Sequence, residues 1–202
     1  MKDKITIKAA EMFLSLGFKS VTMDDISQEL GISKKTIYTH FKNKTELIKE
    51  TALLVFSEIS CGIDTILAQK KDPIEEIYEI KKFVMLQLKN QKASPQFQLQ
   101  KYYPEIHRLL NTKKYEKMAC CTVENLKRGV EKGVYRKNID VDFISKLYFL
   151  GIEGINDETI FPVPQFSKTQ LMEDYLEYHL RGIVTSKGLQ TLNKFITENI
   201  HQ

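Results

Sequence analysis

VTMDDISQELGISKKTIYTHFKNK, residues 21–44, is the stretch on which the fold turns. Thr22 is a good helix N-cap, and Asp25, three residues on, can close a weak capping box with it. Ile26 and Leu30 stand four apart and so share one helix face. Gly31 can take the left-handed conformation that ends a helix, and Ile32 can bury in the turn. Ser33 then caps a second helix whose apolar positions, Ile37 and Phe41, are again four apart. Ser27 is small enough for the two helices to cross closely. The spacing predicts a helix-turn-helix over about 23–42, with a second helix of the kind laid in a DNA major groove.

Charge points the same way. From Ser33 to Lys44 there are four lysines and His40 but no acid. Most non-specific affinity for DNA comes from phosphate contacts, which need such a surface. Residues 1–45 hold eight lysines against five acids, so three of the chain's four net positive charges lie there. A helical hairpin with caps, a glycine and lysines also occurs in proteins that never touch DNA, and the unopposed charge is what separates the two readings.

Phe13, Gly17, Thr22, Ile26, Gly31, Ile32, Ser33, Thr36, Tyr38, His40, Phe41, Asn43, Lys44 and Leu47 stand in the order and spacing of a known N-terminal domain. Over this first quarter the chain resembles TetR-type (TetR/AcrR) bacterial transcriptional regulators, most specifically in TIYTHFKNKTELI. The resemblance implies an all-α fold of nine to ten helices. It also implies a dimer made by the last two long helices, an apolar effector pocket, and phosphate contacts from Thr22, Tyr38, His40 and Lys44. Ser27 stands where that family usually has alanine. Lys34 and Lys35 fill positions that vary within the family, so no operator sequence carries over.

Position on the helix assigns the base readers. Lys34, Lys35 and Thr36 open the second helix of the motif, where side chains reach base edges. Lysine donates to guanine acceptors, and threonine meets a thymine methyl or hydrogen-bonds. Lys35 has phosphate as its alternative. Tyr38 has a packing role as its alternative, and His40 that of an ordinary helix-end residue. Lys44, at a helix N-terminus, opposes the helix dipole, and that mild cost points to a second duty on phosphate.

At 202 residues the chain can bury a core without staples. Its 42% hydrophobic and 28% charged residues are ordinary for a globular protein. Cys61, Cys120 and Cys121 make no paired framework, so reduced, mostly buried thiols in a cytoplasmic protein are expected. Met1 opens directly on a polar, lysine-rich segment, so no secretory leader is expected, and no apolar run is long enough for a membrane span. The four histidines are dispersed, and there is no phosphate loop, nucleophile elbow or metal-ligand spacing. No enzyme, cofactor or metal is expected. Cys120 and Cys121 with His107 could in principle meet a soft metal or an oxidant, but buried cysteine is the commoner outcome.

Along the chain, a first helix over 2–16 ends at Gly17, and a fourth begins after Asn43, with Glu46 as reciprocal cap, and runs to about Gln69. Asp72-Pro73 and Ser94-Pro95 open two more, and a seventh spans about 104–132. The segment GVYRKNID is a connector to an eighth helix, 141–155, capped by Asp140. A ninth is expected from a Ser167 cap to about Lys187, and a short tenth over 190–199 after Gly188. The eighth is apolar almost all round and so needs two burial partners, the second being another subunit or more of the same chain. The candidate dimer interface is Leu147, Leu150, Gly151, Gly154, Tyr175, Tyr178 and His179.

Aromatics scattered through the C-terminal part either fill a core or line a pocket. The candidate effector pocket is Phe83, Phe97, Tyr103, His107, Tyr148 and Glu153, with Glu153 alternatively in an ion pair. The expected organisation is a DNA-binding domain over 1–47 and an effector-binding and dimerisation domain over 48–202. The expected function is a homodimeric, ligand-responsive regulator whose partners are double-stranded DNA, a second copy and a small molecule, with no membrane. The alternative is a helical small-molecule binding or interaction module without specific DNA recognition.

Overall fold

The computed structural model of the chain describes residues 1–88, 95–162 and 165–199. Among them the fold is all-α: α1 (Lys2–Leu16), α2 (Met23–Leu30), α3 (Lys34–Tyr38), α4 (Lys44–Leu67), α5 (Pro73–Leu88), α6 (Pro95–Tyr102), α7 (Pro104–Glu131), α8 (Val141–Ile155), α9 (Lys168–Ile183) and α10 (Ser186–Asn199). No described helix is long and apolar enough to cross a membrane.

The described residues of Met1–Gly62 and Leu86–Lys114 form one compact unit. Its core gathers Ile5, Ala9 and Phe13 of α1, Ile26 of α2, Ile37 of α3, then Phe41, Leu47 and Ile48. Leu99, Ile106 and Leu110 of α6 and α7 belong to the same cluster. Phe18 links the two sets, its ring 5.4 Å from Phe13 and 6.4 Å from Tyr103. Gly17 ends α1 at φ 91°, a left-handed value that costs a β-carbon-bearing residue strain. The cap expected of Ser94 lies outside the described residues.

The second unit is formed by the described residues of Ile63–Met85 and Tyr115–Gln202. Asp72 opens α5 as expected, its carboxylate accepting the Ile74 N–H at 2.9 Å. Asp140 likewise caps α8 by accepting the Phe143 N–H at 3.0 Å. The core joins Ile74, Ile77 and Tyr78 to Leu126, Tyr135, Leu176, Leu180, Ile183 and Leu192. Within it sits a polar cluster that the pattern of apolar positions did not reveal. Glu76 is fully buried, and its Oε1 accepts from both Arg128 and Asn125. Asn125 also donates to the Pro73 carbonyl at 2.9 Å and accepts the Tyr135 hydroxyl at 3.1 Å.

Two expectations are corrected here. The ninth helix does not reach Lys187: it stops at Ile183, Val184 turns extended, and α10 starts at Ser186. The cause is distant in sequence, because Val184 forms a β-bridge with Tyr135 of the connector, whose ring is wholly buried. Thr185 then caps the next helix, its Oγ1 accepting the Gly188 N–H at 3.2 Å. The cysteines are also less sheltered than expected, Cys61 and Cys120 being exposed and Cys121 half-buried.

Candidate nucleic-acid interface

The motif is built from local hydrogen bonds. Thr22 Oγ1 accepts the Asp25 N–H at 3.2 Å, and Asp25 Oδ2 accepts the Thr22 N–H at 2.7 Å, which is the full capping box. The same carboxylate accepts the Thr22 hydroxyl at 2.8 Å. These donors hold the Asp25 carboxyl below its usual range. Gly31 closes α2 at φ 64°, and the Ile32 N–H returns to the Ser27 carbonyl at 3.0 Å. Ser33 Oγ accepts the Thr36 N–H at 3.1 Å and starts α3. Ile37 and Phe41, both buried, seat that short helix on the core.

With those two anchors inward, the remaining side chains of α3 fall outward. Lys34 and Lys35 are exposed, and Thr36 is half-buried with its hydroxyl 2.9 Å from Ser33 Oγ. Tyr38 and His40 are exposed. Lys34 is paired with Asp24 of α2 at 2.9 Å, which raises its pKa. Asp24 was missed at the level of sequence, since a carboxylate ten residues upstream gives no local signal. The Thr22 N–H and hydroxyl are both already engaged by Asp25, so a phosphate reaching Thr22 must compete with that carboxylate.

At the head of α4 the cap differs in detail from expectation. Asn43 does accept the Glu46 N–H at 2.9 Å, but Glu46 reaches the Lys42 N–H at 2.6 Å rather than that of Asn43. Lys44 is half-buried, its ammonium 5.9 Å from the Phe13 ring centre and 3.5 Å from the Lys19 carbonyl. Burial lowers its pKa, and the charge of Asp25 opposes that shift.

The other candidate residues fall in both units. Phe97, Tyr103 and His107 lie in the first, where Tyr103 packs on Phe18 and His107 Nε2 stands 3.4 Å from the Asn111 amide. Phe83, Tyr148 and Glu153 lie half-buried in the second. A cleft of about 350 Å³ in the second unit is lined instead by Tyr78, Lys81, Glu173 and Phe195 among others.

On α8 and α9, Leu147, Leu150 and Tyr178 are exposed, Tyr178 by 78%. Phe143 adds to this apolar face. Gly151 makes room for Tyr175, whose hydroxyl reaches the carbonyls of Leu147 at 3.2 Å and Tyr148 at 3.1 Å. Gly154 has open space beside it. His179 turns inward, 4.8 Å from the Tyr148 ring and 6.0 Å from that of Tyr175. Its Nε2 is buried without a hydrogen-bond partner, and burial brings its pKa down to about 4. Among the described residues, no group of three or more His, Cys, Asp or Glu side chains is placed to hold a metal ion.

Residues 5–51 match the family model described as bacterial regulatory proteins, tetR family. The HTH-type transcriptional repressor KstR2 of Mycolicibacterium smegmatis is 24% identical over 194 residues, 93% of this chain and 92% of the relative. IcaR of Staphylococcus epidermidis, a negative transcriptional regulator of the biofilm operon icaADBC, is 33% identical over 81 residues, 39% of this chain and 42% of the relative. A solved transcriptional regulator from Cytophaga hutchinsonii shares the fold with a TM-score of 0.76 at 15% identity, over 91% of this chain and 98% of that one.

Proposed function

Since the chain belongs to the tetR family of bacterial regulatory proteins, we propose that it is a ligand-responsive transcriptional repressor that binds a palindromic operator as a homodimer. The observation that carries this reading is the exposed set Lys34, Lys35 and Lys42 on and just after α3, which Ile37 and Phe41 seat on the core. Lys34, Lys35 and Thr36 read bases, and Thr22, Tyr38, His40 and Lys44 hold phosphates. The relatives are repressors, and no catalytic role is assigned to this chain. The protein acts in the cytoplasm, on the nucleoid when bound to DNA.

Dimerisation through α8 and α9 gives the exposed Phe143, Leu147, Leu150 and Tyr178 a burial partner, with Gly154 allowing close approach. Two recognition helices would then meet successive major grooves about 34–36 Å apart. A small effector favours a conformer that fits DNA less well, which is all that allostery requires here.

The test is selection of bound fragments from a random duplex pool, followed by titration at two salt concentrations. A recovered palindrome and a steep salt dependence are expected. Lys34→Ala and Thr36→Ala should each relax preference at particular base pairs by ~1–3 kcal/mol, while Lys44→Ala weakens all sequences alike. Absence of duplex binding at low salt overturns the reading, and uniform weakening by all three substitutions overturns the division of roles.

A further inference from the structure

We propose that the DNA contact extends beyond the helix-turn-helix onto α6, where Lys19 and Lys101 form a basic ledge that holds backbone phosphates flanking the operator. The inference rests on the DNA-binding reading and concerns one unit only.

Gln98 of α6 ties that helix to the loop before α2. Its Oε1 accepts the Lys19 N–H at 3.2 Å. Its amide lies so close over Gly17 that a β-carbon there would come within 2.6 Å of it. This seam sets Tyr102 under Lys19, the ammonium 4.8 Å from the ring centre. Lys101 stands 5.5 Å from the centres of both Tyr102 and Phe97. Lys44, proposed above as a phosphate contact, reaches the Lys19 carbonyl. Lys19 thus adjoins Lys101 through the Tyr102 ring and Lys44 through its main chain, and Thr22 lies three residues beyond Lys19.

Three other lysines of the unit are already neutralised. Lys2, Lys8 and Lys34 are each paired with a carboxylate, from Glu50, Glu11 and Asp24. Lys19, Lys44 and Lys101 enter no ion pair among the described residues. The next acid after Lys101, Glu105, is held by Arg108 at 3.0 Å. Phe97 and Tyr102 are exposed aromatics whose faces steady the lysine stems while leaving the ammonium groups open to a partner.

The spacing suits a polyanion. Two ammonium groups over one ring, at 4.8 and 5.5 Å, lie within about 10 Å of each other. At about 3.4 Å of axis per charge on one strand, a separation of no more than about 10 Å suits neighbouring phosphates. The ledge is open rather than enclosed, and it continues a surface already assigned to DNA.

The experiment compares wild type with Lys19→Ala/Lys101→Ala. It uses the selected operator trimmed to its palindrome and the same operator with a helical turn of flanking sequence on each side. Both replaced side chains are exposed, and a thermal melt checks that the fold is kept. On the flanked duplex, the slope of log affinity against log salt should become shallower by about 0.9 for each phosphate no longer neutralised, with base preference unchanged. On the trimmed duplex the two proteins should agree, and Lys19→Arg/Lys101→Arg should restore the wild-type slope. Equal slopes on the flanked duplex, from a wild type that does bind, overturn the ledge alone. A wild type with no salt-dependent duplex binding overturns both the ledge and the reading beneath it.

Discussion

Tyr135 lies directly over Gly129: a β-carbon on that glycine would overlap the tyrosine ring. The contact lets α7 pass beneath the connector, and the connector in turn interrupts the chain at Val184. Alanine at an exposed helix position gains about 1 kcal/mol over glycine from propensity. At position 129 overpacking should exceed that gain, and Gly129→Ala should destabilise the protein by about 1–3 kcal/mol. Gly182→Ala, with nothing within 4 Å of the new atom, is the control and should not destabilise. Urea midpoints of the two variants check the contrast.

Glu76 and Arg128 form a pair in which the carboxylate is wholly buried. Removing only the arginine leaves a charge in the core, so Arg128→Ala should cost about 3–5 kcal/mol. The double variant Glu76→Leu/Arg128→Met should recover most of that loss, since an apolar pair of similar volume is often neutral. A double-mutant cycle by chemical denaturation reads the difference, and additive losses would refute the account.

His179 gives the fold a pH dependence of known sign. Its folded-state pKa, about 4, lies below the ordinary 6.5, so the unfolded chain takes up the proton first as pH falls. Stability from this residue is therefore complete above the unfolded value and declines as pH drops from about 6.5 towards 4. Between pH 7 and pH 5 the loss is roughly 2 kcal/mol. His179→Phe keeps a ring against Tyr148 and should flatten that part of the pH–stability curve. An unchanged curve would mean the imidazole titrates normally.

On the proposed role of Lys34 as a base reader, Asp24 is its competitor with DNA. Both partners are largely exposed, so the pair adds little to the fold. Asp24→Asn frees the ammonium and removes a negative charge from the proposed reading face. Operator affinity should rise about two- to fivefold, equivalent to no more than ~1 kcal/mol, and the rise should be smaller at high salt. Weaker binding would show that Asp24 orients Lys34 rather than competing for it.

What was legible in the sequence was local. Thr22 with Asp25, Gly31 and Ser33 each act within four residues, so their spacing was enough to place α2, the turn and α3. Asp140 and Ser167 were legible for the same reason. The failures involve partners far along the chain. The break after Ile183 depends on Tyr135, and the burial of Glu76 depends on Asn125 and Arg128, about fifty residues on. Lys101 had no signal of its own, because its significance comes from Tyr102 beneath it and Lys19 beside it. For Phe83, Phe97, Tyr103 and Tyr148 the sequence signal of an effector site is aromatic content, a property shared by filled cores, and Tyr103 is packed on Phe18.

Leu99, Ile106 and Leu110 close the core that supports α3, the proposed reading helix, with Tyr103 edge-on to Phe18. The reading head is therefore not severable at the end of its motif. A graft carrying only residues 1–47 onto a foreign body would arrive with Phe18 stripped of cover and without the Gln98 tie to Lys19. Chimaeras that exchange operator specificity should transplant α6 and the head of α7 as well, or rebuild that lid from the recipient.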